Sequence, residues 1–452
     1  MKNDTLVIGT GAGYAGDRVE PAIELAKHGN LDYIVFECLA ERTIALAQLR
    51  KLRDPSAGYD SLLAYRLDKI LPVCYQNKIK IITNMGAANP LAALEKTREI
   101  ARKHGLDKMK IAAVIGDDVS GIIGEINPCL VETGQKLNQS LGSFVSANAY
   151  LGAESIIPAL ETGADVVITG RVADPSLFLA PMIYEFGWSL DNWTLLGKGT
   201  VIGHLMECAG QVTGGYYAEP GKKDVPGLGR LGFPIACIAG NGDGIITKLP
   251  GAGGIVNVST CKEQLLYEIG DPAAYLTPDV TADFTKVGFK QIGPDKVLVT
   301  GGDGRRRPPT LKVSIGYHQG YIGEGEISYA GSGAVERGRL AAQIVKERLE
   351  AVGATYREIR YDLIGVDALH GAVADGKASG KPYEVRLRVA AKTDTREEAI
   401  LIGNEVETLY TNGPAGGGGA RKHVSEIIAI VSAFIPRESV ASRVVVKEVN
   451  EG

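Results

Sequence analysis

The stretch Asp4-Thr5-Leu6-Val7-Ile8-Gly9-Thr10-Gly11-Ala12-Gly13-Tyr14-Ala15-Gly16-Asp17-Arg18 decides the fold class. Its first six residues read as a buried strand, and a helical pattern over 17–28 follows the glycine turn. Working outward, the alternation continues. Apolar β-runs at 31–37, 78–83, 110–115 and 165–169 are separated by helical patterns at 40–53, 62–76, 90–104 and about 153–162. Strands and helices in that order predict an α/β fold with a mainly parallel, Rossmann-like sheet covered on both faces. The character changes further on. Residues 199–260 are glycine-dense, 308–330 and 383–393 alternate with a period of two, and 333–352 and 395–409 read as long helices. The expectation is an α/β domain over 1–284 and a smaller α+β domain over 285–452.

Composition narrows the classes. Glycine is 58 of 452 residues, about 13%, against a background of about 7%. With no Gly-X-Y period, that excess means tight turns and backbone-lined sites rather than collagen. The net charge is −4 and no polybasic block occurs, which speaks against nucleic acid as a partner. No apolar run approaches the roughly 18–20 residues of a membrane span. The N-terminus lacks the pattern of a secretory signal, so a cytoplasmic protein is expected. Six scattered cysteines without a C-x-x-C pair argue against a structural zinc or redox site, and no metal is expected.

In open parallel sheets, ligands bind beyond the carboxyl ends of the strands. Each strand exit here is polar. The first opens into Gly11, Gly13, Gly16 and Arg18; the second ends at Glu37, with Glu41 and Arg42 one turn on. The third exits at Asn84, the fourth at Asp117 and Asp118, and the fifth at Arg171 and Asp174. Glu37 and Asp117 are the candidate acid–base carboxylates, because burial or crowding raises one pKa into the working range. Asn84 is the candidate oxyanion donor and Arg171 the carboxylate clamp. Asn148, Asp118, Asp174 and Arg18 complete the expected binding rim.

Gly11, Gly13 and Gly16 also form G-x-G-x-x-G, and Glu37 lies about 20 residues on, where a ribose hydroxyl is read in dinucleotide sites. Asp17 at the helix start works against a phosphate there. His204, Glu207 and Cys208 share one face of a helical run and form a candidate acid–base cluster. Lys248 sits within the turn-rich stretch 241–254, and Gly417 and Gly418 lie in a four-glycine run ahead of Arg421-Lys422-His423 and an apparent helix. Both stretches are candidate anion loops.

Several longer strings carry a resemblance. They are Gly9–Arg18, Phe36–Thr43, Asn84–Pro90, Asn148–Glu154, Thr169–Pro175, Gln211–Gly215 and Tyr275–Phe284. In these the chain resembles the acyclic terpene utilisation protein A family. The resemblance implies a catabolic role on branched acids handled as CoA thioesters, as a hydratase or carbon–carbon lyase. It leaves the catalytic residues open. Some relatives carry a further C-terminal domain, so a small partner subunit is an expectation.

The leading expectation is therefore an acid–base enzyme on a small-molecule carboxylate or acyl-CoA, with no cofactor beyond CoA as part of the substrate. A homo-oligomer is expected. Two alternatives stay open: an NAD(P)-dependent dehydrogenase using the glycine turn, and a non-catalytic ligand-binding subunit.

Overall fold

The structure, a computed structural model, describes residues 5–140, 144–374 and 382–450. The chain divides into two compact units. One comprises Met1–Gly316 with Ile430–Gly452, the other Tyr317–Ala429.

In the first unit the apolar runs become β1 (Thr5–Ala12), β2 (Tyr33–Phe36), β3 (Lys80–Thr83), β4 (Lys110–Ile115), β5 (Ser146–Ala149) and β6 (Val166–Thr169). All but β5 join one sheet, in the order β1-β2-β3-β6-β4, with every neighbour parallel. The sequence pattern missed β5. Helices α1 (Glu20–His28), α2 (Glu41–Arg53), α3 (Leu63–Asn77) and α4 (Pro90–Lys103) connect these strands. Pro21 starts α1 and the Asn89 side chain caps α4, both favourable at orphan helix N–H groups. His28 closes the last turn of α1 and His104 caps α4. The expected helix at 153–162 is shorter. After the one-turn helices α5 (Ile123–Ile126) and α6 (Leu137–Ser140), it forms a 3-10 turn and then α7 (Ile157–Glu161).

Beyond β1 the sheet turns antiparallel. β7 (Pro234–Ala239) pairs with β1, Gly9 opposite Ile235, and β8 (Gly244–Lys248) follows. A Rossmann-like winding would put another parallel strand there. The class is α/β, but the sheet is mixed rather than mainly parallel. Helices α8 (Ser176–Phe186), α9 (Trp193–Glu207) and α10 (Val258–Leu266) cover it. A small sheet contains β9 (Tyr275–Leu276) and β10 (Thr281–Asp283). The hairpin β11 (Gly288–Gly293) and β12 (Lys296–Thr300) extends the large sheet through β8, and β13 (Asp303–Arg305) completes the small one. One core packs Ile8, Val35, Ile82, Val114 and Val167 under α8 and α9; a second packs Ile34, Ile81 and Ile111 under α1, α3 and α4.

The chain then enters β14 (Thr310–Ala330), whose residues Val313–Gly316 pair with β5. The second unit adds α11 (Ala334–Ala351), β15 (Glu358–Ile364), β16 (Glu384–Thr393), α12 (Arg396–Glu407) and β17 (Gly418–Pro436). Its strand order is β15-β16-β14-β17. A β-α-β-β-α-β chain in that order is the split βαβ, ferredoxin-like arrangement. A capping box of Thr395 and Glu398 starts α12. The returning chain ends in β18 (Arg443–Glu448), antiparallel to β4.

The run after the four glycines is β17, not a helix. Val424, Ile427, Ile428, Ile430 and Val431 are β-branched and suit a pleated sheet. Among the described residues, no helix is long and apolar enough to cross a membrane.

Candidate active site

The carboxyl ends of β1, β2 and β6 open onto a cavity of about 1200 Å³ within the first unit. The glycine turn after β1 forms one wall. Gly13 presses against the end of α9: a Cβ there would lie 2.5 Å from the Cys208 carbonyl carbon, so only glycine fits. Arg66 of α3, fully buried, braces the turn from behind. Its Nη2 donates to the Ala15 carbonyl at 2.8 Å and the Asp17 carbonyl at 3.0 Å, and it pairs with Asp60 at 3.6 Å.

Glu37 leaves β2 at the cavity floor. Its Oε1 accepts from the Leu39 N–H at 2.8 Å and from Asn84 Nδ2 at 3.0 Å. Burial, reinforced by the nearby Asp174 carboxylate, pushes its pKa up to about 8 against the opposing pull of Arg171. Asp174, at the β6 exit, also lines the cavity, and removal from water holds its carboxyl above the ordinary range.

The third carboxylate comes from α9. Glu207 lines the cavity, and its Oε1 lies 2.8 Å from His204 Nδ1. Burial pushes Glu207 up to about 7, although His204 pulls the other way. Burial alone would lower His204, but the Glu207 charge wins and raises it. Glu207 Oε2 and His204 Nε2 are both buried without a partner among the described residues, and the His204 ring is packed by Tyr275 and Phe284. Buried polar atoms left open in this way suit a proton relay or a bound polar group.

A fourth cavity carboxyl behaves differently. Glu41 accepts from Tyr150 Oη at 2.5 Å and from Lys312 Nζ at 3.1 Å. Burial opposes ionisation there, yet those donors hold the carboxyl down at about 2. The cavity thus carries a permanent anion as well as carboxyls that can hold protons.

Of the residues expected from sequence, Gly13, Arg18, Glu37, Asp174 and Glu207 line this cavity. His204 stands behind Glu207. The others take different places. Asn84 spends its amide on Glu37 and its Oδ1 on the Cys38 N–H, so it positions Glu37 rather than meeting an oxyanion. Arg171 is buried; its guanidinium is taken by the Leu39 and Val172 carbonyls and Asp174, with the Tyr150 ring 4.6 Å away. It holds the floor together instead of clamping a substrate. Asp117 is closed in by the Arg171 N–H at 2.9 Å and Asn148 Nδ2 at 3.0 Å. A Cβ at Gly170 would lie 2.5 Å from the Asp117 carboxylate, and burial raises that carboxyl to about 6. Asp118 is exposed and accepts from the Ser120 N–H.

Gly11 lies inside β1 under the Phe36 ring, and Gly16 packs against Tyr14. The helix that should greet a phosphate begins only at Glu20, and the Gly13 N–H already donates to Asp17. Lys248 is buried in β8 between Asp295 and the Ala252 carbonyl. Gly417 packs on Ile327 and Tyr329 and Gly418 opens β17, both in the second unit. With a strand following, the anion loop expected there lacks its helix N-terminus.

Sequence reasoning missed Tyr150, Glu268, Tyr275 and Lys312, all cavity residues. One signal was available: 18 tyrosines against 8 phenylalanines. Tyr14, Tyr150, Tyr216, Tyr267 and Tyr275 all line the cavity. Glu268 and Tyr216 hold left-handed backbone, φ 58° and 63°, a strain often kept at functional sites. Among the described residues, no group of three or more His, Cys, Asp or Glu is arranged to hold a metal ion.

A family model described as acyclic terpene utilisation family protein AtuA matches residues 6–446. The chain belongs to that family. The match spans the cavity and both compact units, and it implies a role in acyclic terpene utilisation. No curated protein matches the chain. Among solved structures, the de novo designed protein Ferredog-Diesel matches 24% of this chain and 88% of its own at 23% identity, with a TM-score of 0.16. A likeness that slight carries no argument.

Proposed function

We propose that this member of the family is an acid–base enzyme of hydratase or carbon–carbon lyase type, acting on a branched carboxylic acid or its CoA thioester. The observation that supports it is Glu37, a cavity carboxyl with a pKa raised to about 8. At neutral pH such a group carries a proton to deliver, and once ionised it can take one back. Glu207, raised to about 7 and backed by His204, supplies a second proton-holding station in the same cavity.

In a hydration, Glu207 takes a proton from water as its oxygen attacks the β-carbon, and Glu37 delivers a proton to the α-carbon. In a cleavage, the base takes the proton of a β-hydroxyl. The carbon–carbon bond then breaks to a carbonyl and an enolate, and the acid protonates the enolate. Arg18, on the cavity rim, suits an anionic part of the substrate. Lys312 serves less well, because Glu41 holds it.

The test is turnover of branched 3-hydroxyacyl and 2-enoyl thioesters and of their free acids, with exchange of the α-hydrogen in D2O. Glu37→Gln and Glu207→Gln are each expected to cut turnover and exchange at least about 100-fold. Full activity in both variants rules the reading out.

A further inference from the structure

A second concavity of about 780 Å³ lies in the first unit between α1 and the segments 229–233 and 249–252. It is lined mostly by apolar groups, among them Pro21, Leu25, Leu249 and Pro250. Arg18, Leu231 and Phe233 line both this groove and the acid–base cavity, so the two share a wall. Two arginines line the groove, Arg18 at its junction with the cavity and Arg230. Both side chains are exposed, and neither has an ion-pair or hydrogen-bond partner among the described residues. Glu20 and Glu24 also line it, but Glu24 is turned to Lys27 and His28, each 3.7 Å away.

We infer that this groove is the second compartment of the same site, holding the distal arm of an elongated substrate whose arm combines apolar length with an oxyanion group. The inference rests on the acid–base reading and adds to it what lies beyond the reacting end. The apolar walls match a chain of methylene or ring carbon, which gains by leaving water. Two planar guanidinium forks without protein partners match a phosphate or carboxylate, which they can bind through paired hydrogen bonds. A neutral apolar arm would leave both arginines unused, and a compact acid would leave the groove empty.

The probes are octyl phosphate, octanoate and 1-octanol, titrated by calorimetry into the full chain. Octyl phosphate or octanoate is expected to bind and 1-octanol to bind far more weakly; the tighter anion identifies the source of the oxyanion. Arg230→Ala is expected to weaken the anionic probe about tenfold, and Arg230→Lys to recover part of it. Arg230 is exposed and braces nothing, so the variant should fold. Failure of both anions to bind overturns the inference, as does an Arg230→Ala variant that binds like the parent or 1-octanol matching the anions. These outcomes are independent of Glu37→Gln turnover, so the groove can fail while the acid–base reading stands, and the reverse.

Discussion

The cavity of the first unit and the open sheet face of the second handle charge in opposite ways. In the cavity, the buried Glu37 and Glu207 and the half-exposed Asp174 crowd around Arg171 and His204, and all three pKa values rise. On the second unit's sheet, Glu324 and Glu326 of β14 meet Arg388 and Arg386 of β16, and Asp362 of β15 meets Arg388. These residues alternate with Val385, Leu387, Ile327 and Tyr329, which face the core under α11 and α12. Charges paired across neighbouring strands on a half-open face hold register and little else. Carboxyls crowded together at a buried site hold protons to higher pH. That contrast, more than the count of ionisable groups, separates the candidate site from the second unit's sheet.

The strongest way to break the comparison is to remove a buried charge that is matched. Arg66→Ala removes the cation paired with Asp60 and the donor to the Ala15 and Asp17 carbonyls, and a loss of about 3–5 kcal/mol in denaturant unfolding is expected. A loss below about 1 kcal/mol would place Arg66 with the surface pairs.

A pH series sharpens the comparison. Glu37 has its folded pKa raised above the unfolded value, so the folded state binds the extra proton between about pH 4.5 and 8. Its contribution to stability is greatest below that window and is lost as pH rises through about 8. The wild type should lose melting temperature across pH 6–9 more steeply than Glu37→Gln, which cannot titrate. Activity should fall on the alkaline side over the same range as the acid is lost. Parallel melting curves for the two proteins would contradict the assigned pKa.

The smallest effect belongs to the second unit. Glu326→Gln breaks the 2.8 Å pair with Arg386, whose side chains are 35% and 26% exposed. Screening by solvent should hold the change within about 1 kcal/mol. A larger loss would mean that the ladder carries more than register.

Much of the fold was legible. The β-runs and helices of the first 170 residues fall close to their expected ranges, because apolar periodicity and caps are local signals. Glu37 and the His204–Glu207 pair were legible for a related reason. One sits at a strand exit, and the other two are three residues apart on one helix. Less was legible where partners come from afar. Arg171 looked like a free clamp until Leu39, remote in sequence, took its guanidinium. Asp117 looked catalytic until Asn148 closed over it.

The sequence by itself determined the α/β class, the positions of the main elements, the family and the carboxylate at the β2 exit. All of these rest on neighbours within a turn or a strand, or on strings of consecutive residues. Only the tertiary structure decided that β7 meets β1 antiparallel, that Tyr150, Lys312, Glu268 and Tyr275 join the cavity, and which carboxyls crowd together. A pKa depends on burial and on charges brought together from distant segments, and no local stretch of chain contains that information.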